Sequence, residues 1–408
     1  MTIYYPAALK KYVGAYSGLS KSCWGGIILN FVESTLIGIY YFLPLYFVNK
    51  LNIDIATASI IISFYGVGAI IGGFVGGQLS DKISPGSVTI VSLFFQALVF
   101  LALTKLTSVN LLIINLFFMG IASYSFLTSN NLWIINQCGD NEKNKFKAIN
   151  IIGAASNLGL GLSAIIISSL VNYGFQYIFI SCGILLILAA VYFYLIDKNV
   201  TRQHAAPKIT TVRDIVKNHL PVMTDNRKII NLVLFCVFLV GLIIFQLSTT
   251  YSIYIQNTFP IWGIKGVGIL FALNSFMVVF FQVPVSNFFD TYNKILMLGV
   301  GAFLLGMGMF LLCFAFTFEI AVLACVIFTI GEMLFFSVAV FLCFQKAAEN
   351  KKGQALGVYR MVYASSRIVG PAAGGVVYQS WGANILWVMC GAIGFVCLLA
   401  CRYYKKLL

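Results

Sequence analysis

Long apolar stretches dominate this chain, and polar residues gather in the short segments between them. Apolar stretches long enough to cross a bilayer as helices recur twelve times along the 408 residues. Most of the connections are short, so consecutive helices are expected to run antiparallel. The pattern predicts an all-α membrane protein with twelve transmembrane helices, at residues 22–48, 55–79, 87–105, 110–137, 148–171, 175–196, 229–255, 265–289, 295–316, 320–344, 354–379 and 383–403.

One connection, residues 197–228, is long and polar, and it divides the helices into two sets of six. The two sets repeat each other faintly at an offset near 208 residues, so that Gly174 after the fifth span corresponds to Gly382 after the eleventh. We therefore predict two pseudo-symmetric six-helix bundles, residues 1–196 and 229–408, joined by a cytoplasmic central loop.

Composition supports a membrane protein, because 60% of the residues are hydrophobic and only 9% are charged. A soluble domain of this size could not cover such a surface. The 10 cysteines are scattered through apolar stretches without a C-x-x-C pair, so we expect reduced core residues rather than disulfides or metal ligands. No metal or other cofactor is predicted.

The distribution of basic residues predicts the orientation in the membrane. Of the 26 lysines and arginines, 21 fall on the side of the two termini, and three, Lys50, Lys105 and Lys265, fall in the loops on the other side. Basic loops stay in the cytoplasm, so we predict cytoplasmic N- and C-termini in a plasma membrane, or bacterial inner membrane. The net charge of +14 is then explained by basic loops on the cytoplasmic side, and nucleic acid is not an expected partner.

The second span is rich in glycine and ends in a distinctive motif. Its glycines at four-residue spacing, Gly68, Gly72 and Gly76, share one helix face and permit close contact with a neighbouring helix. The segment Gly77-x-Leu79-Ser80-Asp81-Lys82 resembles the loop between helices 2 and 3 of the major facilitator superfamily, G-x-L-a-D-R/K, although Ser84-Pro85-Gly86 replaces the glycine and basic residues that follow in the family. The resemblance implies a twelve-helix transporter that works by alternating access, in which Gly77, Asp81 and Lys82 gate the cytoplasmic side.

Helix 11 carries a second motif, Gly370-Pro371-Ala372-Ala373-Gly374-Gly375. It resembles the G-P-x-x-G-G kink of the proton antiporter branch of that superfamily, where the motif normally lies in helix 5. Helix 5 has no proline here, whereas the segments around Glu332 in helix 10 and Asn274 in helix 8 look like a twelve-helix drug-efflux subgroup. The resemblance implies a gating role for Gly370 and Pro371.

Four charged residues are predicted at membrane depth, where charge is costly and usually functional. Glu33 and Glu332 lie near the midplane, and we interpret them as proton-coupling residues because burial disfavours a charged carboxylate. Arg360 and Arg367 share a face of helix 11 and are predicted to bind an anionic substrate. The alternatives are a permanently protonated structural acid at Glu33 and a fixed ion pair between Glu332 and Arg367.

Polar and aromatic side chains on helices 1, 4, 7 and 8 complete the predicted substrate site. They are Asn30, Tyr40, Tyr124, Asn131, Gln246, Tyr251 and Asn274. The alternative for each amide or hydroxyl is a bond that holds two helices together.

Together these features predict a proton-coupled secondary transporter, active as a monomer in the lipid bilayer, that exports a small amphipathic or anionic molecule. An alternative is uptake or export of an anionic metabolite such as a carboxylate siderophore. A second alternative is a non-transporting receptor or an enzyme. We do not expect an enzyme, because no nucleophile with a base and no metal cluster falls in the spans.

Overall fold

The computed structural model describes residues 18–139, 141–203, 227–289, 291–347 and 352–407. Within these ranges the chain is helical and forms no strand. Most of the predicted central loop, residues 204–226, lies outside them.

Twelve long helical segments make up the described chain. Ten of them are α2 (Ile55–Lys82), α3 (Pro85–Leu103), α4 (Val109–Asn136), α5 (Glu142–Leu170), α6 (Phe175–Gln203), α8 (Gly263–Phe288), α9 (Lys294–Leu311), α10 (Phe318–Lys346), α11 (Lys352–Trp381) and α12 (Ala383–Leu407). The two remaining segments, α1 and α7, begin the first and second sets of six helices, and each is interrupted by a short turn. Segment α1 joins Lys21–Ile37 to Leu43–Asn49, and α7 joins Arg227–Ile244 to Thr250–Thr258.

Eleven of these segments are long and apolar enough to cross a membrane by length and composition alone. The twelfth, α11, has 30 residues but is more polar, since it carries Arg360 and Arg367. At a rise of 1.5 Å per residue it is about 45 Å long, which exceeds the hydrocarbon thickness of a bilayer. The prediction of an all-α membrane protein is therefore confirmed.

The interruptions of α1 and α7 were not predicted from the apolar pattern. Each is a short 3-10 turn, Gly38–Phe42 in α1 and Phe245–Ser248 in α7. In α1 the cause is Pro44, which has no N–H to donate to the carbonyl four residues earlier, that of Tyr40. The two turns lie next to each other, and both border the central cavity.

Close helix contacts in the first half depend on the predicted glycine stripe of α2. A Cβ atom at Gly68, Gly72 or Gly76 would collide with the backbone of α4. Further along the chain, Gly174 and Gly382 have φ angles of +114° and +87°, which glycine adopts readily. These two residues correspond in the predicted repeat, and each lets the chain turn sharply into the next helix.

The departure from the family motif after Lys82 has a local explanation. Ser84 caps α3 by accepting a hydrogen bond from the backbone N–H of Ser87 at 3.0 Å, and Pro85 occupies the first turn, where no N–H is needed. Gly86 lies against the carboxylate of Asp197 in α6, so that a side chain at this position would collide with it. The backbone at the start of α3 therefore packs directly against the side chain of Asp197 in α6.

The two halves contact each other chiefly through two helix pairs, α2 with α11 and α5 with α8. We use "termini side" for the side where α1 begins and α12 ends, and "far side" for the opposite one. On the far side, the Asn49 amide donates to Gln256 Oε1 at 2.9 Å, and the Ala56 backbone N–H donates to Gln379 Oε1 at 2.7 Å. The halves are thus closed on the far side. The exact residue boundaries of the two bundles stay a prediction.

On the termini side the contact between α2 and α11 is lost. Along α2, Ser59 packs on Gly375 of α11 and Gly66 packs on Arg367, whereas Gly73 on the same face has only Thr128 of its own half at 4.0 Å. On α11, an added Cβ at Gly357 would meet nothing within 4 Å. The space between the halves therefore opens toward the termini side.

Candidate functional site

A cavity of about 270 Å³ lies between the two halves, next to the 3-10 turns of α1 and α7. Its wall is aromatic and polar, with both predicted midplane carboxylates and one arginine. Its lining includes Glu33, Tyr40, Tyr65, Tyr124, Phe245, Asn274, Glu332, Tyr363 and Arg367.

Arg367 extends from α11 into an aromatic enclosure. Its guanidinium carbon lies 4.7 Å from the ring centre of Phe245, 5.2 Å from that of Tyr124 and 5.8 Å from that of Tyr65. These are cation–π distances. No carboxylate or other acceptor among the described residues pairs with the guanidinium. In particular, no ion pair within 4.0 Å joins Arg367 to Glu332, the fixed pair that the sequence left open.

The backbone around Arg367 is adapted to this position. Pro371 lies inside α11 and removes the N–H that would bond the carbonyl of Arg367 one turn earlier. Gln246 of α7 donates from Nε2 to the carbonyl of Gly370 at 2.8 Å, and an added Cβ at Gly370 would lie 3.3 Å from the α7 backbone at Leu242. The predicted gating residues Gly370 and Pro371 are thus at the contact between α11 and α7, beside the anion candidate.

Glu332 is held by a chain of hydrogen bonds within the second half. The Asn274 amide donates to Glu332 Oε2 at 2.8 Å and to Thr329 Oγ1 at 3.0 Å, and Thr329 in turn donates to the carbonyl of Cys325 at 2.6 Å. Both N–H groups of Asn274 are therefore used, and Oε2 of Glu332 is an acceptor. The second carboxylate oxygen has no hydrogen-bond donor among the described residues.

Glu33 has a simpler environment in the first half. It is 5% exposed and accepts one hydrogen bond, from Gln96 Nε2 of α3 at 3.1 Å. The other end of that amide, Gln96 Oε1, is buried and has no partner in the described structure. Glu33 is thus an isolated carboxylate at the edge of the cavity.

The structure brings six predicted residues to the cavity wall and places others elsewhere. The six are Glu33, Tyr40, Tyr124, Asn274, Glu332 and Arg367. Asn30 accepts hydrogen bonds from Ser34 and Ser156 behind the wall, and Gln246 bonds the backbone of α11. Tyr251 is 1% exposed and packs against other rings, and Asn131 has a buried carbonyl oxygen without a partner.

The remaining gating candidates lie on the termini side. Gly77 is on the α2 face that has separated from α11. Asp81 is partly exposed and Lys82 is exposed, and neither side chain has a hydrogen-bond or ion-pair partner among the described residues. Arg360 is exposed on α11, two turns from Arg367 toward the termini side.

Several wall residues were missed from the sequence. Tyr65 and Tyr363 are ordinary aromatic residues in apolar helices, and Phe245 precedes the polar run of α7 without any polar signal of its own. Tyr65 does precede Gly66, which allows α11 to approach. A glycine next to an aromatic residue on a contact face was therefore a usable signal for this tyrosine.

A polar cavity between two helical halves that touch on one side and separate on the other is the arrangement of a secondary transporter. The chain belongs to the Major Facilitator Superfamily, whose family model matches residues 23–371 and 266–406. It is a membrane transporter and not an enzyme.

The relatives share this assignment. The Bacillus subtilis (strain 168) protein YqjV, an uncharacterized MFS-type transporter, is 23% identical over 356 residues, which is 84% of this chain and 82% of YqjV. YttB of the same strain, also an uncharacterized MFS-type transporter, is 22% identical over 353 residues, with 84% of each chain covered.

Solved structures have the same fold at low identity. A POT family transporter in complex with 5-aminolevulinic acid superposes with a TM-score of 0.79 at 17% identity, covering 96% of this chain and 97% of the other. The nucleoside transporter NupG gives a TM-score of 0.75 at 15% identity, covering 95% of this chain and 100% of NupG.

Proposed function

We propose that this transporter exports a small organic acid with an apolar or aromatic body, in exchange for protons. The observation that carries the proposal is the guanidinium of Arg367, which lies in the cavity wall without an acidic partner among the described residues. Arginine does not give up its charge, so at membrane depth it needs an anion or a wet cavity. The substrate supplies that anion.

The chemistry of the wall favours a carboxylate on a small body. The planar guanidinium can hold a carboxylate through two parallel hydrogen bonds. The rings of Tyr65, Tyr124 and Phe245 offer apolar surface beside it. Ligand pockets commonly measure about 300–1,000 Å³, and this cavity of about 270 Å³ favours a small acid over a bulky siderophore. The POT complex makes 5-aminolevulinic acid a reasonable first probe.

Glu33 is the proposed proton carrier. It is 5% exposed, borders the cavity and has no cationic partner among the described residues, so that its charged form lacks compensation. A proton that enters from the cavity neutralises it. In the proposed orientation both termini are cytoplasmic, in a plasma or bacterial inner membrane, so the cavity, which opens toward the termini side, faces the cytoplasm.

The test uses thermal melting of the purified protein with matched acid and amide probes. Acetate, benzoate and 5-aminolevulinate are each compared with the corresponding primary amide. A ligand that binds only the folded state raises its stability, by about 2.7 kcal/mol at a concentration of 100 Kd. We expect at least one acid to raise Tm while its amide, which lacks the carboxylate, does not. If every amide performs as well as its acid, the proposal is wrong.

Two variants assign the effect to Arg367. Arg367→Ala should abolish the shift by the acid, and Arg367→Lys should restore it only in part, because lysine lacks the planar fork. Arg402→Ala is the matched control, because this arginine is exposed on α12 and should leave the shift unchanged. Full binding of the acid by Arg367→Lys would show that a point charge suffices and would remove the argument for a bidentate carboxylate.

A further inference from the structure

The second half of the protein offers two opposite charges to the same cavity. Arg367 on α11 and Glu332 on the adjacent α10 both line it, yet no ion pair within 4.0 Å joins them. Each charge therefore lies at membrane depth without the compensation that an ion pair would give. Two uncompensated charges of opposite sign in one cavity indicate a ligand with two charged ends.

We propose that the substrate is a zwitterion whose protonated amine binds Glu332 while its carboxylate binds Arg367. This inference rests on the proposed anion site at Arg367 and adds a second contact to it. A simple monoanion would compensate Arg367 and leave the charge of Glu332 without a counter-ion at membrane depth. A zwitterion compensates both charges and carries no net charge into the membrane.

The carboxylate of Glu332 is prepared for such a contact. Oε2 is fixed by the Asn274 amide at 2.8 Å, while the other oxygen has no donor among the described residues. Asn274 is itself fixed by its bond to Thr329 at 3.0 Å. Because both N–H groups of Asn274 are donated, the carboxylate is oriented as an acceptor. An ammonium group, which has three donors and no acceptor, matches the open oxygen.

Glu33 does not fit the same role. It lies in the opposite half from Arg367, so its distance to the arginine changes when the halves rock against each other. Glu332 and Arg367 belong to neighbouring helices of one half, which contact each other directly. A substrate held between these two residues can keep both contacts through the transport cycle.

The experiment compares three probes of one shape in binding to the purified protein. They are 4-(aminomethyl)benzoate, which is a zwitterion, benzoate, which is an anion, and benzylamine, which is a cation. We expect the zwitterion to bind at least about tenfold more tightly than benzoate, and benzylamine to bind most weakly. Equal or weaker binding of the zwitterion relative to benzoate would overturn the proposal.

Glu332→Gln separates the amine contact from the carboxylate contact. In this variant we expect the preference for the zwitterion over benzoate to disappear, while benzoate binding persists or improves. Glu319→Gln is the matched control, since Glu319 is exposed at the start of the same helix and should leave the preference unchanged. An unchanged preference in Glu332→Gln would exclude Glu332 as the amine site.

The same data distinguish failure of this inference from failure of the proposed function. If benzoate binds and depends on Arg367 but the amine adds nothing, the anion site stands and the zwitterion is excluded. If neither acid binds, or if both bind equally well to Arg367→Ala, the anion site itself is wrong and the zwitterion proposal falls with it.

Discussion

The two carboxylates of the cavity, Glu33 and Glu332, lie in opposite halves and are held in different ways. Glu33 accepts one hydrogen bond, from an amide whose own carbonyl oxygen has no partner. Glu332 accepts from Asn274, whose amide is fixed by Thr329. An isolated acid can change its protonation state without disturbing a network, whereas an acid oriented by a network is suited to hold a ligand. The comparison therefore favours a proton carrier in the first half and a binding residue in the second.

The two halves also differ in the basic residues that they contribute to the cavity wall. Arg367 lines the cavity from the second half, and the first half contributes no lysine or arginine to the described wall. Neither carboxylate forms an ion pair with Arg367 in the described structure, but Glu332 lies on the helix adjacent to that of Arg367, whereas Glu33 lies in the opposite half. The charges of Glu332 and Arg367 can be balanced by a bound ligand, whereas the charge of Glu33 can be balanced by a proton.

The largest expected effect is that of Glu33→Gln in proteoliposomes. The amide keeps the shape of the acid but cannot exchange a proton, so a pH gradient should no longer drive accumulation of an acid that binds the wild type. Exchange of labelled for unlabelled acid at equal concentrations should continue, since that process needs no net proton movement. A Glu33→Gln protein that still accumulates the acid against its gradient would assign proton coupling to another residue.

The second prediction concerns the amides that hold the two acids. Asn274→Leu should reduce the preference for 4-(aminomethyl)benzoate over benzoate by about tenfold, because a charged group loses its orienting hydrogen bond. Gln96→Leu should leave that preference intact and instead reduce accumulation driven by a pH gradient. Equilibrium binding and gradient-driven uptake measure the two effects separately. If both variants changed the same quantity, the two carboxylates would not have separate roles.

Much of the fold could be predicted because a bilayer imposes length and polarity on every helix. The interruptions of α1 and α7 were not predicted, since an apolar pattern does not report a break such as that before Pro44. The polar run of α7 shows a further limit. Gln246 was expected to bind substrate, but its amide bonds the backbone of α11, a use that its residue type alone does not distinguish.

The charged residues that line the cavity gave a clearer sequence signal than its aromatic wall. Glu33, Glu332 and Arg367 are rare at membrane depth, and the structure brings all three to one cavity. Tyr65 and Tyr363 gave no such signal, because aromatic residues are common in apolar helices and become wall residues only through helix packing. Whether Glu332 and Arg367 form a fixed ion pair likewise depends on how α10 and α11 pack against each other, which residue type alone does not show.

The third prediction compares two glycines on the face of α2 that is turned toward the second half. A Cβ at Gly66 would lie 3.0 Å from Cγ of Arg367, so Gly66→Val should displace α11 and weaken binding of the acid several-fold. An added Cβ at Gly73 would meet only the Thr128 hydroxyl of its own half, at 4.0 Å, so Gly73→Val should leave that binding unchanged. If the halves close on the termini side during transport, Gly73→Val should nevertheless slow exchange. Normal exchange by this variant would show that α2 and α11 do not approach each other there.

The smallest expected effect is at the far side, where Asp54 caps α2. Its side chain accepts a hydrogen bond from the backbone N–H of Thr57 at 2.9 Å, and this bond holds the pKa of Asp54 below its usual range. The cap is outside the cavity, so Asp54→Ala should lower the free energy of unfolding by about 1 kcal/mol without changing the preference between probes.

The sign of the pH dependence follows from the lowered pKa of Asp54. The contribution of the charged cap is fully present above about pH 3.9, the usual pKa of an aspartate, and is lost as the pH falls through the lower pKa of the folded state. Asp54→Asn should keep most of the stability at neutral pH, because asparagine also caps helices well, and should remove this pH dependence. Denaturant unfolding of the three proteins at pH 7 and at lower pH measures both effects. If Asp54→Ala altered acid binding as well, the cap of α2 would be coupled to the cavity. The prediction that this cap affects only stability would then be wrong.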